Sequence, residues 1–83
     1  MKDRVVVVTG AFGFLGRSVV AALARAGARV AALDYADEPP VELAGFLQQG
    51  GLARGGLDAA SPEAAAAAAA DIAAHCGRVD GLV

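Results

Sequence analysis

The sequence predicts an α/β fold, a doubly wound parallel sheet of about four strands in the order 3-2-1-4, cut short within its fourth strand. Three observations lead there. Val5 to Val8 is a continuous β-branched run without polar alternation, which is how a strand buried on both faces of a parallel sheet reads. Strand-like and helix-like segments alternate along the chain. The first strand–helix–strand unit has the roughly 30-residue length of a βαβ crossover, and right-handed crossovers then set the strand order.

Taken in order, Arg4–Thr9 is the first strand, and Gly10–Gly16 is a glycine-punctuated turn. Leu15, Val19, Leu23 and Ala26 recur at spacings of three and four, predicting an amphipathic helix that Gly27 caps. Arg29–Asp34 is a second apolar strand ending in an acid. Pro39 and Pro40 break the chain before a short helix over Val41–Gln48. Val41, Leu43, Phe46 and Leu47 do not define a clean face there, and Phe46 is read as core. Gly50 and Gly51 end that helix, and Leu52–Asp58 is a third strand weakened by Gly55 and Gly56. Ser61 as N-cap, Pro62 at the first helical position and Glu63 beside the positive helix end begin the next helix. It runs through Ala64–Ala70 to about Cys76, where Gly77 stops it, and Val79–Val83 opens the fourth strand.

A chain of 83 residues makes one small domain, burying little more than about 60% of its unfolded surface. It is 57% hydrophobic, but 22 of those residues are alanine, so the core is thin and would be steadier with more chain packed on it. The net charge is −2 with no basic cluster, which argues against nucleic acid as a partner. One cysteine allows no internal disulfide and fits a reducing compartment. The first residues do not read as a signal peptide, and no run reaches the roughly 18 apolar residues of a membrane span. A cytoplasmic protein is the expectation.

The chemistry lies in Thr9-Gly10-Ala11-Phe12-Gly13-Phe14-Leu15-Gly16. A helix N-terminus offers unpaired N–H groups and a partial positive charge, so it binds a pyrophosphate without Lys or Arg. The backbone must come close to the phosphates, and side chains at positions 10 or 13 would obstruct it. Gly16 lets the helix pack tightly on the first strand. Phe12 is either loop packing or a cofactor wall. Asp34, eighteen residues after Gly16, ends the second strand, where a carboxylate accepts both ribose hydroxyls and repels a 2′-phosphate. No Arg or Lys lies between Ala11 and Leu15 or directly after Asp34, and Arg17, the nearest base, is read as solvated. The expected cofactor is therefore NAD in preference to NADP.

With these residues in view, the whole chain resembles the short-chain dehydrogenase/reductase family. TGAFGFLG is similar to the TGxxGxxG turn of its extended branch. Gly77-Arg-Val-Asp-Gly-Leu-Val83 is similar to the lead into the fourth strand of its shorter-subunit branch. The resemblance implies a Rossmann-like fold, of which residues 1–83 are the N-terminal part of a single NAD(P)-binding domain. It implies backbone N–H groups of Phe14 and Leu15 on the pyrophosphate, Tyr35 near the adenine, and Asp58, closing the third strand, on the adenine amino group. It also implies a bond from Thr9 to the fourth-strand segment. The family's Ser, Tyr and Lys, and its nicotinamide-ribose segment, are expected beyond Val83. This polypeptide alone is therefore expected to bind the adenosine half weakly and to transfer no hydride.

Other residues carry less. His75 and Cys76 are helix neighbours about 100° apart and do not easily share a metal. The alanine tract is a strong helix former with little to pack, or else a partner surface. Asp71 and Asp80 are read as solvated. Three functions fit these features: an NAD-dependent oxidoreductase acting on a carbonyl or alcohol; a non-enzymatic dinucleotide-binding module, either a redox sensor or a subunit completed by another chain; or an S-adenosylmethionine methyltransferase. Thr9, where the last class usually carries an acid, disfavours the methyltransferase.

Overall fold

The computed structural model describes residues 3–46, 51–58 and 61–83. The valine run becomes β1 (Val5–Thr9), followed by α1 (Phe14–Arg25), β2 (Arg29–Leu33) and α2 (Leu43–Phe46). β3 (Leu52–Arg54), α3 (Pro62–Cys76) and β4 (Gly81–Leu82) complete the order. The sheet is parallel and runs β3-β2-β1-β4, the predicted order. β1 and β2 pair in register from Val5–Arg29 to Thr9–Leu33.

Alternate residues of the central strands face opposite sides, and both sides are buried. Val6, Val8, Val30 and Ala32 pack with Val20 of α1, Leu43 of α2 and the ring of Phe12. Val5, Val7, Ala31 and Leu33 pack with Leu52 of β3 and with Ala68, Ile72 and Cys76 of α3. A fully buried valine contributes roughly 1.5–3 kcal/mol relative to exposure. β1, with four buried valines, therefore anchors the sheet far more than β3, where only Leu52 is buried. This two-sided burial explains the absence of polar alternation in the sequence.

α1 buries a different stripe from the one predicted. Val20, Ala21 and Ala24 are buried, Val19 and Leu23 are half-buried, and Leu15 is 77% exposed. Weighting by side-chain size favoured the leucines, whereas small alanines mark the face that lies against the sheet. Gly27 does stop the helix, at φ +91 after the C-cap Ala26. Its N–H donates to the Ala24 carbonyl and that of Ala28 to the Leu23 carbonyl, both at 3.0 Å, which is a Schellman ending. α3 begins as predicted, with Ser61 Oγ accepting the Ala64 N–H at 3.3 Å and Pro62 at N1. Gly77 ends it at φ +83. Of the tract Ala64–Ala70 only Ala68 is buried.

Three expected elements differ in their bounds. α2 starts at Leu43 rather than Val41 and is described to Phe46; its expected end at Gln48 and the Phe46 side chain lie outside the described residues. β3 stops at Arg54 rather than Asp58. Gly56 has φ +67 and donates its N–H to the Ala36 carbonyl at 3.0 Å, and a Cβ on Gly55 would collide with the Ala36 and Asp37 carbonyls. The glycine pair is thus a crossing point for the loop after β2. β4 begins at Gly81 rather than Val79, because Asp80 is a clip and not a solvated acid. Its Oδ2 accepts the Val5 N–H at 2.9 Å, its own N–H donates to the Val5 carbonyl at 2.7 Å, and its Oδ1 accepts from Arg78 at 2.6 Å. The bonds its carboxylate accepts, that from Arg78 first and then that from the Val5 N–H, hold the Asp80 carboxyl below its ordinary value. Asp71 is largely exposed, 3.6 Å from Arg54 Nε.

Gly16 sits where α1 meets the preceding turn. A Cβ there would collide with the Gly10 carbonyl oxygen and lie 2.7 Å from Ala11 Cα, so the tight packing attributed to Gly16 is against the turn itself. In an open helix, Gly→Ala stabilises by about 1 kcal/mol. Gly16→Ala is expected to destabilise instead, by about 3 kcal/mol, in urea unfolding. The control Gly45→Ala, whose Cβ meets nothing within 4 Å, is expected to be neutral or slightly stabilising. Equal stability of Gly16→Ala and wild type would contradict the close approach.

Candidate functional site

The C-terminal ends of β1 and β2 open onto one cleft. In open parallel sheets this is the side where ligands settle, where the strand order reverses. Here the chain passes from β3 at one edge to β4 at the other, across β1. The cleft, of about 400 Å³, is lined by Thr9, Gly10, Leu33, Asp34, Tyr35, Leu57 and Asp58. Four residues expected at the cofactor therefore meet, Gly10, Asp34, Tyr35 and Asp58, beside Thr9. Leu33 and Leu57 form its apolar wall and were missed. The only signal for them was that each precedes an acid at a strand end or the turn beyond it.

Of the glycine turn Gly10 lines the cleft, while Phe12, Gly13, Phe14, Leu15 and Gly16 lie outside its lining. Gly10 takes φ +63, a conformation that favours glycine. The tip of β2 then captures two successive N–H groups of the turn: Ala11 donates to the Leu33 carbonyl at 3.0 Å, and Phe12 to Asp34 Oδ2 at 2.8 Å. The Gly13 N–H turns back to the Gly10 carbonyl at 3.3 Å. α1 starts immediately afterwards, with Gly13 as an N-cap that supplies no side-chain bond and no acid in the first turn. The N–H groups of Phe14, Leu15 and Gly16 have no acceptor among the described residues. α3, by contrast, carries both a capping serine and Glu63.

Gly13 differs from its neighbours in why it is glycine. Its φ is −72, which any residue adopts, and a Cβ there would make only ordinary contact, 3.5 Å from the Gly10 carbonyl. The fold does not require glycine at this position. Phe14 and Leu15 are 86% and 77% exposed, so this turn of α1 offers its backbone outward rather than burying apolar side chains. The Phe12 ring is 7% exposed and belongs to the core, so of its two readings packing is the one realised. Any contact from Phe12 to a bound molecule falls to its backbone.

Asp34 Oδ1 accepts the Ala36 N–H at 3.0 Å. That bond, and after it those from Phe12, Tyr35 and Gly13, hold the Asp34 carboxyl below its ordinary value although partial desolvation pushes it up. The carboxylate is therefore ionised at neutral pH. Arg17 is not simply solvated. Its Nη1 pairs with Glu42 Oε2 at 2.9 Å, and its Nε lies 3.4 Å from the Gly13 carbonyl. Tyr35 is 76% exposed at the cleft mouth. The Thr9 hydroxyl and N–H both donate to the Val83 carbonyl at 3.0 Å, the expected link to the fourth-strand segment. His75 is exposed and Cys76 buried, on different faces of α3. No helix among the described residues is long and apolar enough to cross a membrane.

Residues 4–83 match the family model described as short chain dehydrogenase. The chain is also similar to solved structures of NAD+-bound xylitol dehydrogenase (30% identity, TM-score 0.83) and, at the level of fold, levodione reductase (24% identity, TM-score 0.82). A third is a 3-ketoacyl-(acyl-carrier-protein) reductase from Brucella melitensis complexed with NADH (24% identity, TM-score 0.83). These alignments cover 98%, 99% and 98% of this chain and 32%, 33% and 33% of the others, in the order named. The chain thus spans about a third of their length. Among curated protein sequences none matches. An uncapped helix after a glycine turn, an acid at the tip of β2 and a family match over nearly every residue lead to one conclusion: the chain belongs to the short chain dehydrogenase family, whose dinucleotide-binding fold it carries.

Proposed function

We propose that this chain binds the ADP portion of NAD, as the N-terminal part of a single dinucleotide-binding domain in an oxidoreductase acting on a carbonyl or alcohol. One observation carries the reading. Among the described residues the first three N–H groups of α1 have no acceptor, beside a glycine, Gly13, that the fold itself does not need. An anion at that position gains the helix-end charge and several donors together. The N–H groups of Phe14 and Leu15, with the room left by Gly10, Gly13 and Gly16, hold the pyrophosphate. Asp34 receives the adenosine ribose hydroxyls, and Tyr35 and Asp58 flank the adenine. Bound NAD supplies the hydride-accepting nicotinamide. The residues on the page bind and orient its other end.

Gly13→Asp separates the site from the fold. An aspartate suits the N-cap geometry and caps α1, so thermal stability is expected to hold or rise. It also occupies the donors and adds a negative charge, so NAD affinity in titration calorimetry is expected to fall roughly a hundredfold. Undiminished NAD binding would place the nucleotide elsewhere.

The preference for NAD over NADP rests on the ionised Asp34 carboxylate and on Arg17 being engaged by Glu42. Two like charges about 4 Å apart repel by roughly 1–4 kcal/mol near a protein surface. Asp34→Ala is therefore expected to raise the NADP-to-NAD affinity ratio by roughly tenfold or more. An unchanged ratio in paired titrations would count against Asp34 as the discriminator.

In the family that the chain resembles, a Tyr and a Lys are expected to act at the reacting carbonyl. This chain contains one of each, Tyr35 and Lys2, far from the Tyr-x-x-x-Lys spacing. The 83-residue polypeptide incubated with NADH and assorted ketones is expected to show no loss of absorbance at 340 nm above buffer. Measurable turnover would overturn that expectation.

A further inference from the structure

The Asp34 carboxylate is engaged on both oxygens by the protein's own backbone. Oδ2 accepts from Phe12 at 2.8 Å, inside the glycine turn, and Oδ1 accepts from Ala36 at 3.0 Å, in the loop beyond β2. An ionised carboxylate accepts about four hydrogen bonds. Each oxygen takes one short backbone bond, with the Tyr35 and Gly13 N–H groups also acting on the carboxylate, so a ribose hydroxyl meets a group already oriented by the protein.

The Phe12 bond matters because of where the turn's other donors go. Ala11 donates to the Leu33 carbonyl and Gly13 to the Gly10 carbonyl, so residues 11 to 13 all direct their N–H groups inward. The next three, from Phe14 to Gly16, are left along the start of α1. The Phe12 ring is sunk in the core and its N–H is tied to the tip of β2. This residue thereby anchors the turn just ahead of the outward donors, which begin after Gly13. Without the carboxylate, the partly buried Phe12 N–H loses its acceptor.

Resting on the nucleotide reading above, we infer that Asp34 is a positioning residue for the pyrophosphate-binding turn as well as a ribose contact. One side chain thus couples the ribose and phosphate subsites. Its depressed pKa accords with this, since the backbone donors act on it without any ligand.

The test uses a ligand that cannot touch Asp34 through hydroxyls. ADP and 2′,3′-dideoxy-ADP are titrated into the full-length protein as wild type, Asp34→Ala and Asp34→Asn. Asp34→Ala is expected to weaken dideoxy-ADP binding by roughly tenfold. Asp34→Asn, whose single carbonyl oxygen accepts the Phe12 N–H, is expected to recover part of that loss. In wild-type protein without ligand, the Phe12 amide proton is expected to exchange slowly with solvent. If Asp34→Ala weakens ADP but leaves dideoxy-ADP at the wild-type affinity, the positioning role is wrong and the nucleotide reading stands. If ADP fails to bind the wild type, the nucleotide reading falls and takes this inference with it. Should Asp34→Ala not fold, a Phe12 amide exchanging in wild type as fast as an exposed one overturns the inference unaided.

Discussion

Burial of β1 on both faces is the constraint from which the rest of the structure follows. Val5 and Val7 face α3, Val6 and Val8 face α1, and none is more than 7% exposed. A strand that must be covered twice needs helices on both sides, and parallel neighbours need crossovers to supply them. Once the crossovers are right-handed, β2 and β4 fall on opposite sides of β1. The turn leaving β1 and the tip of β2 then share one end of the sheet. The cleft is where they meet.

The two longer helices differ in how their N-termini are capped. α3 has the serine cap, the proline and the acid that stabilise an N-terminus, and its alanines favour helix while burying little. α1 starts with a glycine that offers no side chain, and its first turn has no acid. Its C-terminus, by contrast, is closed by the full Schellman arrangement at Gly27. The N-terminus of α1, which follows the glycine turn, thus lacks the capping side chains that α3 carries. That contrast within a single molecule argues for the site without reference to any relative.

Polar groups at the strand ends do more than solvate. Asp80 joins β4 to the start of β1, and Asp34 joins β2 to the turn at the end of β1. Both carboxylates accept β1-side backbone N–H groups, and both are held below their ordinary values by hydrogen-bond donors. A thin core rich in alanine gains from such directional links, because they fix register where side-chain interlocking is weak.

Much of this was legible in the linear text. The valine run, the 10-13-16 glycines, the acid eighteen residues on and the Ser-Pro-Glu helix start determined the fold class, the strand order, α3 and most of the cleft, because each acts through local backbone geometry. The buried stripe of α1, the early end of β3, the burial of the Phe12 ring and the engagement of Asp80 and Arg17 were decided only in three dimensions. Each depends on a partner distant in sequence: the sheet for Ala21 and Ala24, the Ala36–Asp37 backbone for Gly55, Val5 for Asp80, and Glu42 for Arg17. Local periodicity carries no information about which distant group will arrive, and it is that arrival which turns an exposed-looking residue into a packed or bonded one.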